Sequence, residues 1–151
     1  SPGSFLWEKM DKNWEFTTNY GHYFVTGEVV KQLSLPTDTL FVDGFDELIH
    51  WQADLPSSYK YAWYTSVMPY FDKYENERTR MFNNNPPSFY YGNCPQDPNP
   101  GRWLPEEKVK DYLRLYFAGK PTCLHVKKTK AQAISNQQWE AIKKFEFSLF
   151  P

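Results

Sequence analysis

Leu40-Phe41-Val42-Asp43-Gly44, Ser88-Phe89-Tyr90-Tyr91-Gly92 and Thr122-Cys123-Leu124-His125-Val126 decide how this chain is read. Each is a short apolar run that follows a proline-marked turn. Pro36 leads the first, Pro86 and Pro87 the second, and Pro121 the third. Runs this short, apolar on consecutive positions, suit strands buried on both faces, as interior strands of parallel sheets are. Helical stretches separate them, and strand–helix alternation implies right-handed crossovers. The expectation is an α/β fold, a three-layer sandwich around a small, mostly parallel sheet of about four strands.

Working outward, residues 1–17 are aromatic without a clean period and read as a leading segment or linker. Residues 18–151 read as a single α/β domain. Within it, Tyr20, Tyr23, Phe24, Val30 and Leu33 recur at roughly helical spacing, and Pro36 stops that helix. A short helix is expected over 45–53, an alternating strand over 59–63 and a helix over 66–82. Val109, Tyr112, Leu113, Tyr116 and Phe117 spell an apolar helical face, with Glu106 and Glu107 in its first turn and Gly119 and Pro121 closing it. Lys127, Lys128 and Lys130 read as a solvated turn. Ser135 and Gln138 form a capping box for a helix to about residue 144. Alternation at 145–149 marks a candidate fifth strand. The expected order puts 40–44 in the centre, flanked by 59–63 and 88–92, with 122–127 beyond.

The chain has 151 residues and a net charge of −1, which gives no electrostatic reason to expect nucleic acid as a partner. Mean hydropathy is −0.72, yet 19% of residues are aromatic, so rings supply much of the apolar surface. Tyr and Trp keep a polar tip, which places some of them at the core margin or on a surface that can stack sugars. No window has the length of apolar sequence that spans a bilayer, and no signal peptide is read. The start, Ser1-Pro2-Gly3-Ser4, has the look of an excised or processed chain. Cys94 and Cys123 are too few to define a disulfide scaffold, and the sequence leaves their pairing open.

The carboxyl ends of the first and second runs mark the candidate crevice, where the strand order reverses. On one side stand Asp43, Gly44, Asp46 and Glu47; on the other, Asn93 and Cys94 beside Gly92. Clustered carboxylates bind metals or act as acid and base, but they equally cap the following helix, which is the simpler reading. No base is evident for Cys94 as a nucleophile. His22, His50 and His125 are not spaced as a local ligand set, and His125 reads as a packed or edge histidine. A lone Gly44 is not a phosphate loop, so no nucleotide or other cofactor is expected, nor a metal.

Residues 35–44, then Glu47-Leu48-Ile49-His50-Trp51 and Leu55-Pro56-Ser57-Ser58-Tyr59, with the later Asn84-Asn85-Pro86-Pro87-Ser88-Phe89-Tyr90-Tyr91, form a recurring pattern. It resembles the soluble C-terminal region of bacterial polytopic membrane glycosyltransferases of the dolichyl-phosphate-mannose–protein mannosyltransferase and aminoarabinose transferase type. Tyr90-Tyr91 stands where that family favours aliphatics, and the Pro/Asn-rich loop at 93–102 is longer. The resemblance implies a non-catalytic domain on the extracytoplasmic face of a bacterial membrane. Its partners would be the transmembrane part of the same polypeptide and a glycan acceptor or lipid-linked sugar. The family's catalytic carboxylates fall in that membrane part, so none is carried over. Two other expectations stand beside it: a self-sufficient small-ligand or glycan-binding module, and a small hydrolase using Asp43, Asp46, Glu47 or Cys94.

Overall fold

A computed structural model describes residues 21–43, 47–60, 71–96 and 106–151. Its first helix, α1 (Gly21–Leu33), turns Val25, Val29, Val30 and Leu33 into the core. The edge strand β1 (Leu40–Val42) and helix α2 (Glu47–Ala53) follow. Helices α1 and α2 cross tightly at Gly27, where a Cβ would lie 2.6 Å from the Gln52 Cβ and 2.9 Å from the Ile49 carbonyl. Gln52 Nε2 donates to Glu28 Oε2 at 2.6 Å and locks that crossing. After α3 (Asp72–Asn84) come β2 (Phe89–Tyr91), a single turn α4 (Glu106–Val109), and the hairpin β3 (Tyr112–Phe117) and β4 (Lys120–Lys127). Helices α5 (Lys128–Ala133) and α6 (Asn136–Lys143) lead to β5 (Phe147–Ser148).

The sheet has five strands in the order β1-β2-β4-β3-β5. Only β1 and β2 are parallel; β2–β4, β4–β3 and β3–β5 are antiparallel. The fold is α/β, but the expected mostly parallel sheet is overturned, and one connection explains why. The segment expected as a crossover helix is strand β3 from Tyr112 onward. It returns through a two-residue turn, Ala118 (φ 46°) and Gly119 (φ 75°), the backbone of a type I′ hairpin. A hairpin reverses the chain where a helix would have preserved its direction, so β4 enters beside β2 pointing the other way. The first run is accordingly an edge strand, with an isolated parallel bridge from Leu40 to Ser57 on its outer side. Tyr59 and Lys60 are not in a strand, and 61–63 lie outside the described residues.

Residues alternate across the sheet into two cores. Leu40, Val42, Phe89, Tyr91, Leu124 and Val126 point to α1, α2 and α6. Phe41, Tyr59, Met81, Phe82, Tyr90 and Tyr112 form a second cluster with α3, nearly all ring. The Phe41 and Tyr90 rings stack at 5.9 Å, and Phe82 meets both edge-on. Five rings thus fill this core and Phe89, Tyr91, Phe117, Phe145 and Phe147 belong to the other; Trp51, Phe71 and Phe150 are the strongly exposed rings among the described residues. Tyr112 donates its hydroxyl to the Pro87 carbonyl at 2.7 Å.

Two further expectations meet different outcomes. The capping box forms: Gln138 N–H donates to Ser135 Oγ at 3.2 Å and Ser135 N–H to Gln138 Oε1 at 3.1 Å. The lysine run is not a solvated turn. It opens α5, and Lys130 is buried against Asp38, with Nζ 2.6 Å from Oδ2.

Candidate functional site

The carboxyl ends of β1 and β2 lie side by side, as their parallel pairing requires. Asp43 continues the pairing by donating its N–H to the Tyr91 carbonyl at 2.8 Å. Its Oδ2 accepts the Tyr90 hydroxyl at 3.1 Å. Gly92 lets this contact form: a Cβ there would run into the Tyr90 hydroxyl and come within 2.8 Å of the Asp43 Cβ. Asn93 follows in the left-handed region, φ 49°, which asparagine tolerates better than most residues. Gly44 and Asp46 lie outside the described residues, and Glu47 is the first residue of α2.

Cys94 is disulfide-bonded to Cys123, whose Cα is 4.3 Å away. The bond ties the loop after β2 to an irregular stretch of β4. Between the pairs Arg114–His125 and Tyr116–Pro121, one residue of β3, Leu115, faces three of β4, Thr122, Cys123 and Leu124. Such a bulge leaves ladder groups without strand partners. Thr122 supplies them: its Oγ1 donates to the Leu115 carbonyl at 2.8 Å and accepts from the Leu124 N–H at 3.1 Å. Arg114 donates to the Thr122 carbonyl at 2.5 Å and to the Asn93 carbonyl at 2.9 Å, clamping the bulge to the turn after β2. Proline at 121 fits here because β2 pairs only from Leu124 onward.

His125 sits under this clamp, 3% exposed, with its ring 5.4 Å from that of Tyr90. Its Nδ1 lies 2.9 Å from the Cys123 carbonyl, so Nδ1 carries the proton and Nε2 presents a lone pair. Among the described residues, that Nε2 has no hydrogen-bond partner. Burial, then the nearby Arg114 charge, pushes the imidazole down to about 3, against the smaller pull of the Cys123 and Tyr90 carbonyls. His125 is thus a packed, neutral histidine.

The open space lies beside these groups. A cleft of about 570 Å³ runs between the start of α1 and the β3–β4 turn. Tyr91, Phe117 and Pro121 give it apolar walls; His22, Thr26, Gln96 and Lys120 give it polar ones, and the disulfide's Cys123 lines it. Asp43, Asn93 and Cys94 stand at the same end of the sheet but do not line this cleft. Among the described residues no three metal-ligating side chains converge, and no helix is long and apolar enough to cross a membrane. Sequence reading missed Arg114, Lys120 and Thr122, because each acquires its place only from the hairpin. The two-residue alternation of Leu113, Leu115 and Phe117 was the signal for it.

Compared with protein-family models, curated proteins and solved structures, the chain gives no match.

Proposed function

We propose that this chain is a non-catalytic carbohydrate-contacting domain that works on the extracytoplasmic side of a membrane, as the soluble part of a membrane glycosyltransferase. The observation that carries the binding part is the cleft. Its volume falls in the range of small-molecule sites, and ring walls with a few polar groups suit a sugar, which has apolar faces and hydroxyl edges. The Cys94–Cys123 bond supports an oxidising compartment, where disulfides persist. Among the described residues at the carboxyl ends of β1 and β2, beside the cleft, no nucleophile stands with a free base. Cys94 is oxidised, His125 is sealed and neutral, and the Asp43 carboxylate is held by Tyr90. The membrane-enzyme part rests on the pattern over residues 35–59 and 84–91.

Saturation-transfer NMR on the 151-residue chain tests the binding part, with a panel of mono- and disaccharides and detergent-solubilised polyprenyl-phosphate sugars. At least one class is expected to engage. Gln96→Trp, which places a ring in the cleft from an exposed position, is expected to abolish the signal while leaving the far-UV circular dichroism unchanged. No engagement by any sugar, or full engagement by Gln96→Trp, contradicts the reading. For the membrane part, the parent reading frame is expected to encode several apolar spans of about 20 residues; a frame with none overturns it.

A further inference from the structure

We propose that the cleft selects sugars carrying an anionic group, and that Lys120 reads the charge; the proposal rests on the carbohydrate reading above. Among the described residues lining the cleft, the side chains able to carry a positive charge are those of Lys120 and His22, and no aspartate or glutamate is among them. This imbalance is local, since the whole chain carries 18 acidic and 17 basic residues. Elsewhere three carboxylates pair with a nearby cation: Asp38 with Lys130, Glu77 with Arg80 and Glu140 with Lys143. Lys120 joins no ion pair among the described residues. Among the described residues that line it, the cleft thus presents an ammonium and no carboxylate, which favours an anionic ligand over its neutral counterpart.

Position sharpens the point. Lys120 is the first residue of β4 and pairs with Phe117 across the Ala118–Gly119 turn, so its backbone is fixed against a ring that walls the cleft. Thr122 is unavailable for recognition because its hydroxyl is committed to the bulge. Thr26 and Gln96 remain to meet sugar hydroxyls. An ammonium acts as a point charge without the fork of a guanidinium, so a carboxylate and a phosphate ester satisfy it alike. The shared chemistry is an anionic oxygen group on a pyranose ring, from a uronic acid or from a sugar phosphate.

Calorimetric or NMR titration of the 151-residue chain with glucose, glucuronate, glucose 1-phosphate and inorganic phosphate separates the possibilities. One or both anionic sugars are expected to bind about three- to fivefold more tightly than glucose, as one exposed charge pair allows. The preference is expected to shrink in high salt and to vanish in Lys120→Gln, whose exposed site leaves folding intact. Which anionic sugar binds names the source. Equal binding of glucose and both anionic sugars leaves the carbohydrate reading standing and overturns this one. A preference that survives Lys120→Gln, or inorganic phosphate binding as tightly as glucose 1-phosphate, also overturns it. No binding by any sugar removes both.

Discussion

Lys130 Nζ lies 2.6 Å from Asp38 Oδ2, and both residues are more than nine-tenths buried. The same carboxylate accepts the Leu35 N–H at 2.7 Å, so one aspartate closes the turn before β1 and anchors α5. Burial alone would raise its pKa, but the hydrogen bonds from Lys130, Leu35 and Ser88 outweigh burial and hold it below the ordinary value. Lys130→Met leaves a buried carboxylate without its cation and is expected to cost about 3 kcal/mol in urea unfolding. Adding Asp38→Asn is expected to recover part of that loss. A depressed carboxylate stabilises above its unfolded pKa, so this contribution is expected to fade only below about pH 4.

His125 acts in a separate pH window. Its folded pKa, about 3, lies below the ordinary 6.5, because the neutral ring is the one that fits. The stabilisation is therefore complete above the unfolded value and is lost as pH falls from there towards the folded one. Between about pH 6.5 and pH 4.5, urea unfolding is expected to show a loss of about 2–3 kcal/mol. His125→Phe is expected to flatten that slope, whatever it does to stability at neutral pH. An unchanged slope in the variant would assign the loss to other groups.

Gly92 and Tyr90 are expected to be coupled. A methyl at position 92 meets the Tyr90 hydroxyl and the Asp43 Cβ, so Gly92→Ala is expected to destabilise by about 2 kcal/mol or more. Removing the hydroxyl in Tyr90→Phe clears the nearest of these contacts and leaves the ring carbon that bore it, 2.7 Å from the methyl. The double variant is therefore expected to be more stable than the two single costs added together. Strict additivity in a double-mutant cycle would show that the hydroxyl is not the obstacle.

The disulfide closes a long loop, Cys94 and Cys123 being 29 residues apart. Replacing both by alanine is expected to cost about 3 kcal/mol by chain entropy. The effect is expected to appear first around the bulge and the cleft, as faster amide exchange at Gly92 and Leu124. Unchanged stability and exchange would mean that Arg114 and Thr122 hold the bulge without it.

These relationships were unequally visible in the sequence. The runs at 40–42, 89–91 and 122–126 announce themselves by apolar continuity, and Ser135 with Gln138 by local capping chemistry. The stretch from Tyr112 to Phe117 satisfies two periods at once. Tyr112, Leu113, Tyr116 and Phe117 trace a helical face, while Leu113, Leu115 and Phe117 line one side of a strand. Leu115, fully buried, breaks the tie, but only packing reveals it. Ala118 hides the turn as well, because type I′ hairpins usually advertise themselves with Asn or Gly at that position. Misreading that one connection turned β4 around and left Arg114 and Lys120 out of the site. That Asp43, Asn93 and Cys94 share one end of the sheet was legible, since strand ends can be read without knowing strand direction beyond β2. The cleft itself was not, because α1 and the hairpin turn meet only in the folded chain.

An amide chemical-shift map of the 151-residue chain, taken with whichever saccharide engages it, tests the binding account most directly. Shifts are expected to concentrate at Thr26, Tyr91, Gln96, Lys120 and Cys123, drawn from three separate segments that meet only around the cleft. Shifts gathered instead on the exposed face of α2 around Trp51, or at β5 around Phe150, would contradict it.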